Sequence, residues 1–155
     1  MRLFLNSFKY AFCGFWHCIS KERNFRFDIA VIIQILIFKQ FYEFDTTQNI
    51  LLYITIAIVL SAEAFNTSIE TVIDLVSPKY SKLAKIAKDT AAGAVLITAI
   101  TSIVIAFYLF WDIDIFKKIY YYFTDNIVYA LGLLLLLIIS YCFVFIMFSD
   151  NKKRK

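Results

Sequence analysis

Glu63, Asn66, Thr67, Glu70 and Asp74 fall within one short stretch, SAEAFNTSIETVID, inside a segment that is otherwise mostly apolar. On a helix turning about 100° per residue, all five share a stripe about 100° wide, with Glu63, Glu70 and Asp74 within about 20° of one another's mean direction. Ala64, Phe65, Ile69, Val72, Ile73 and Val76 form the opposite face. Acids arranged this way can hold a cation or move a proton. Two carboxylates from different segments, here Glu22 and Glu70, suit a hard divalent ion such as Mg²⁺, which takes one or two protein carboxylates and completes its shell with water and phosphate oxygens. Glu63 is placed to accept a proton from a hydroxyl group. The competing reading is structural: the acids pair with Arg23, Arg26 and Lys88 and tie helices together.

The elements that must carry this stripe belong in a membrane. Of the 155 residues 61% are hydrophobic, and the mean hydropathy is +0.72. Residues 91–111 and 127–148 are runs of 21 and 22 residues without a charge, and about 20 apolar residues span a hydrocarbon core. The expected fold is an all-α integral membrane protein, with an N-terminal amphipathic surface helix and a bundle of transmembrane helices. Apolar residues at 4, 5, 8, 11, 12, 15, 16 and 19 place the surface helix at about 3–20. Lys9 interrupts the apolar region that a signal peptide would need. Spans are predicted at 27–44, 48–76, 91–111 and 127–148; the first is interrupted by Asp28, Gln34, Lys39 and Glu43, and the second stops before Pro78. Residues 1–111 form one membrane domain, and 112–155 add a fourth span and a basic tail. The three Gly and single Pro argue against a β-barrel and against glycine-rich loops. Cys13, Cys18 and Cys142 lack disulfide or zinc spacing, and His17 reads as a packing residue.

Lysine and arginine orient the bundle. With four spans and both termini cytoplasmic, thirteen of the sixteen basic residues face the cytoplasm, and only Lys39, Lys117 and Lys118 lie outside. Glu22, the 63–74 stripe and the pair Lys88-Asp89 then gather at the cytoplasmic end, where ATP is. Glu63 to Asp74 rises about 16 Å, so a single stripe can face both a lipid headgroup and a cytosolic nucleotide. No GxxxxGK[ST] phosphate loop occurs; Lys88, near a helix start, offers positive charge instead. Tyr120, Tyr121, Tyr122 and Phe123 read as an interfacial belt, with Trp111 marking the outer end of the third span. The 152–155 tail would lie against anionic lipid.

Three strings, ERNFRF (22–27), EAFNTSIETVID (63–74) and AKDTAAGAVL (87–96), resemble the signature of the prokaryotic diacylglycerol kinase family, which includes the undecaprenol kinases. The resemblance covers roughly residues 5–111. It implies a homotrimeric enzyme of the bacterial inner membrane, three spans plus a surface helix per protomer, with active sites shared between protomers. It implies transfer of the γ-phosphoryl group of ATP to a lipid hydroxyl, with Mg²⁺, and no nucleic-acid partner. Position by position, Glu63 matches the general base and Glu22 and Glu70 the metal pair. Asn66, Asp74, Lys88 and Asp89 match polar positions around nucleotide and headgroup, and Tyr10 and Gly14 match surface-helix positions near the nucleotide. The span at 127–148 is extra to the family pattern. Ala92 stands where the diacylglycerol-preferring branch tends to carry Ser, and DTAAGAVL is closer to the undecaprenol branch, so the lipid is undecaprenol or diacylglycerol with a lean towards the first. Two rivals are a small ion or proton carrier and a structural membrane subunit. A carrier would spread its acids through the membrane depth, whereas these cluster on one side.

Overall fold

The computed structural model describes residues 2–146; the basic tail and the last residues of the predicted fourth span lie outside the described residues. Six α-helices and a short 3-10 turn follow one another: α1 (Arg2–Lys21), α2 (Arg23–Phe38), the turn (Lys39–Phe41), α3 (Thr46–Val76), α4 (Lys82–Phe110), α5 (Ile113–Thr124) and α6 (Ile127–Phe145). Among the described residues there is no strand, as an all-α membrane protein requires. Three helices, α3, α4 and α6, are long and apolar enough to cross a membrane. At 16 residues α2 rises only about 24 Å. It begins four residues before the predicted span and gives way to the 3-10 turn where Lys39, Gln40 and Glu43 enter the sequence.

α3 and α4 form a hairpin about Pro78 and pack along their length. α2 lies between α3 and α6, and α1 packs against α2 and α3. The start of α3 is fixed locally: Asp45 accepts from the Gln48 amide at 2.8 Å while the Gln48 side chain accepts from the Asp45 amide at 2.9 Å. That reciprocal box satisfies two end donors that a helix cannot satisfy within itself. α4 begins nine residues before its uncharged run, because Lys82, Lys85, Lys88 and Asp89 continue the helix beyond its apolar part. The aromatic belt anticipated at 120–123 sits on α5, a helix capped by Asp112 through the amides of Asp114 and Ile115.

Helix ends are closed by side chains from neighbouring elements. At one end of the bundle the Tyr42 hydroxyl donates to the Phe110 carbonyl at 2.8 Å, and its ring meets the Phe110 ring edge-on at 5.0 Å. Phe41 and Tyr122, 5.0 Å apart, join the 3-10 turn to α5, and Tyr122 stacks on Tyr129 of α6. At the opposite end Phe25 is completely buried beneath Phe15 of α1, 5.4 Å between rings. There the Arg26 guanidinium, 6% exposed, donates to the Val144 carbonyl at the end of α6 and to the Ile19 carbonyl at the end of α1.

Losing a helix cap costs about 1 kcal/mol, and so does losing a net hydrogen bond. Asp45→Ala and Tyr42→Phe should each lower the thermal midpoint of the detergent-solubilised protein by an amount of that size. Unchanged melting of both variants would show that packing alone fixes these helix ends.

Candidate functional site

The single residue between α1 and α2 is Glu22. Its backbone is extended (φ −100°, ψ 116°), its amide donates to the Cys18 carbonyl at 2.9 Å, and its carbonyl receives the Arg26 amide at 3.3 Å. One non-helical residue is enough to turn the chain, so the Glu22 side chain is carried on an elbow and not along a helix face. The elbow sits against the middle of α3.

There the polar stripe turns inward. Glu63 and Thr67 are buried, at 5% and 6% exposure, although they lie on a helix whose other face is largely bare. The side chains of Thr67 and Cys18 are near enough to interact, so the last turn of α1 lies beside the stripe. Burial, with Glu22 beside it, pushes the Cys18 thiol above its ordinary pKa and keeps it protonated. The Glu63 carboxylate is within electrostatic reach of Asp28, Glu22 and Glu70. One turn along, Asn66 Nδ2 donates to Glu70 Oε1 at 3.0 Å, which orients that carboxylate, while Asn66 Oδ1 is buried without a hydrogen-bond partner among the described residues.

Three carboxylates thus act on a fourth, Glu63, and among the described residues neither Glu22, Glu63, Glu70 nor Asp28 makes an ion pair. Arg26, a candidate partner for structural pairing, donates to the backbone carbonyls of Val144 and Ile19. The one ion pair of the stripe is at its outer end, where Lys88 Nζ meets Asp74 Oδ1 at 2.5 Å. Asp74 is 68% exposed there, so the stripe grades from a buried carboxylate to a solvated one.

Of the residues singled out in the sequence, Glu22 and Glu70 lie within electrostatic reach of Glu63, Asn66 bonds to Glu70, and Asp74 pairs with Lys88. Tyr10, Gly14 and Asp89 lie elsewhere on open surface: Tyr10 is 70% exposed, and a Cβ built on Gly14 would meet nothing within 4 Å. Two members were missed. Asp28 had been read only as an interruption of the first span; its Oδ2 is buried without a partner among the described residues. A lone acid in a run as apolar as FDIAVIIQILIF was the available signal, since an ionisable residue at membrane depth marks function by default. Cys18 carried no signal of its own.

Beyond Asp28 an apolar cavity of about 310 Å³ opens between α2, α3 and α4, lined by residues such as Val31, Ile35, Leu52, Ile56, Ala99 and Leu109. The site therefore joins a cluster of oxygen donors to a greasy pocket of lipid-tail character.

Comparisons with known proteins identify the family. A profile of the prokaryotic diacylglycerol kinase family matches residues 9–110, which end where α4 ends. The undecaprenol kinase of Bacillus subtilis is 37% identical over 107 residues, covering 69% of this chain and 87% of that protein. A diacylglycerol kinase of Synechocystis is 36% identical over 102 residues, covering 65% of this chain and 58% of the longer relative. The diacylglycerol kinase of Escherichia coli is 26% identical over 103 residues, covering 66% of this chain and 84% of that protein. α5 and α6 lie beyond the matched region. The chain belongs to the prokaryotic diacylglycerol kinase family and is, with it, a lipid kinase of the membrane.

Proposed function

We propose that this chain transfers the γ-phosphoryl group of ATP to the hydroxyl of a membrane lipid, with Glu63 as general base. The observation that carries this reading is the buried Glu63 carboxylate, within electrostatic reach of Glu22, Glu70 and Asp28, the last of which lines an apolar cavity. An uncompensated group of carboxylates at membrane depth is costly, and a substrate bringing cations and a hydroxyl relieves that cost.

The donor set fits Mg²⁺. Glu22 and Glu70 offer carboxylate oxygens and Asn66 Oδ1 is an unused acceptor, all hard oxygens. Among the described residues no three His, Cys, Asp or Glu side chains converge as ligands, so water and phosphate oxygens must complete the shell. Bound between Glu22 and Glu70, the ion would neutralise charge on the nucleotide phosphates. The chain's own residues do the rest. The cavity orders the lipid chain so that its hydroxyl meets Glu63. The proton passes from that hydroxyl to a Glu63 oxygen as the lipid oxygen bonds to the γ-phosphorus. The bond between that phosphorus and the bridging oxygen breaks, and ADP leaves with the electron pair. Asn66 holds Glu70 in place, and Lys88 with Asp74 flanks the solvated end where the nucleotide enters. Such a site works by positioning and charge neutralisation.

Four spans with both termini cytoplasmic put the stripe on the ATP side of the bacterial inner membrane, α2 serving as a short first span shielded by α3 and α6. A homotrimer, in which neighbouring copies cover the open side of α3 and lend Tyr10, Gly14 or Asp89 to a shared site, completes what one protomer leaves exposed. Ala92 and the similarity to the Bacillus subtilis enzyme favour undecaprenol as the acceptor; the comparable similarity to the Synechocystis enzyme makes diacylglycerol the second reading.

Purified protein in mixed micelles, offered Mg-ATP labelled at the γ-position with each lipid separately, decides between them. Label on undecaprenol alone bears out the first reading, label on diacylglycerol alone the second, and label on neither overturns both. Glu63→Gln should lower turnover by about 10²–10⁴-fold, the usual contribution of a general base, while retaining Mg-ATP binding; turnover like the parent's would remove Glu63 from the role. Glu70→Gln should raise the Mg²⁺ concentration needed for nucleotide binding, and a binding curve that does not move would exclude Glu70 as a metal ligand.

A further inference from the structure

We propose that α6, the helix beyond the family's matched region, is a clamp that holds the Glu22 elbow in its cation-binding position, with Arg26 as the positioning residue. The inference rests on the reading of Glu22 as a metal-holding carboxylate. Arg26 is buried and ties three helices: Nε and Nη2 donate to the Val144 carbonyl of α6 at 3.3 and 3.2 Å, and Nη1 donates to the Ile19 carbonyl of α1 at 3.0 Å. Glu22 lies between Ile19 and Arg26, so both flanks of the elbow are fastened to the same guanidinium. Val144 is itself 4% exposed, and the Arg23 guanidinium lies over the Phe145 ring at 5.9 Å, adding a second contact between the elbow and the end of α6.

The physical need is clear. Glu22 is the one extended residue between two helices, and such a junction has several low-energy directions unless something selects one. The last carbonyls of α6 have no partner within their own helix, and at a membrane boundary they require donors. A planar guanidinium with five N–H groups can serve two helix ends at once. A lysine, with one compact head, cannot reproduce the fork. α6 and the elbow therefore satisfy each other, and the direction of the Glu22 carboxylate follows from that.

Electrostatics alone predicts the opposite sign from clamping, which makes the inference testable. Arg26 is within electrostatic reach of Glu22. Removing its charge would, by charge alone, tighten the binding of a cation at Glu22. Removing a clamp loosens it, and loss of a group that orients a metal ligand costs roughly 10–100-fold in metal affinity.

The experiment uses the full chain in detergent, with Mn²⁺ as the probe in the presence of a non-hydrolysable ATP analogue. Mn²⁺ binding is read by electron paramagnetic resonance, and backbone hydrogen exchange is followed across residues 19–26. Arg26→Gln should weaken Mn²⁺ binding about tenfold, the low end of that range, and speed exchange at the elbow. Phe145→Ala, on α6 and outside the site, should shift both in the same direction by less, and Arg26→Lys should restore little. At saturating Mg²⁺ the turnover of Phe145→Ala should approach the parent's, so that the defect appears in metal dependence and not in the chemical step. Unchanged or tighter Mn²⁺ binding by Arg26→Gln, or by Phe145→Ala should Arg26→Gln not fold, overturns the clamp while leaving the lipid kinase reading intact. Absence of nucleotide-dependent Mn²⁺ binding by the parent protein overturns the metal role of Glu22 and the clamp together.

Discussion

An ionised carboxylate inside a membrane must be turned away from lipid, and the rest of this molecule is arranged around that constraint. Acids on α2, on α3 and at the elbow between α1 and α2 lie within electrostatic reach of Glu63, which is buried. The azimuth of α3 follows: its polar stripe faces α1 and α2, and Phe65, Ile69 and Val72 are left on the outside, all exposed. The surface helix α1 packs against α3, with Cys18 beside Thr67 of the stripe. α4 supplies the lysine that pairs with the stripe at its solvated end.

The same low-polarity surroundings explain how the helix ends are used. In water a frayed carbonyl finds solvent, but at a membrane boundary each unsatisfied one is expensive. The chain meets the requirement with side chains from sequence-distant elements, Tyr42 closing α4 and Arg26 closing α6. Each closure is also a joint. Tyr42 links the loop before α3 to the end of α4, which sets the outer end of the apolar cavity. Arg26 links α6 to the residue that turns the chain towards Glu63. Backbone satisfaction and site geometry are thus served by the same contacts.

This division explains what was legible in the sequence. The stripe was readable because helical periodicity is local: five polar residues at 63, 66, 67, 70 and 74 declare a common face without knowledge of any neighbour, and Glu63, Thr67 and the Asn66–Glu70 pair are found facing inward. Capping chemistry is equally local, and Asp45 with Gln48 begins α3 two residues ahead of the predicted span. Arg26 was not legible. Its partners are backbone carbonyls 118 and 7 residues away, which no side-chain pattern encodes, so an arginine near acids was weighed as their partner. Asp28 was overlooked because it was read as a defect in a weak span, when the same fact, an acid in an apolar helix, was evidence for a site. α5 went unassigned as a helix because its aromatic residues suit an interfacial position in any backbone conformation.

Depth gives the stripe its chemical order. At one end Glu63 is nearly dry, and the cavity that begins at Asp28 is lined mostly by aliphatic side chains. At the other end Asp74 is solvated and paired with a lysine. A lipid hydroxyl attached to a long apolar chain partitions to the dry end, and a nucleotide carrying several charges partitions to the wet one. On the proposed reading their reacting atoms meet between those limits, beside Asn66 and Glu70. Under the proposed reading the enzyme therefore needs no separate lipid and nucleotide domains. The gradient of hydration along about three turns of one helix sorts the two substrates, and the elbow at Glu22 fixes where they meet.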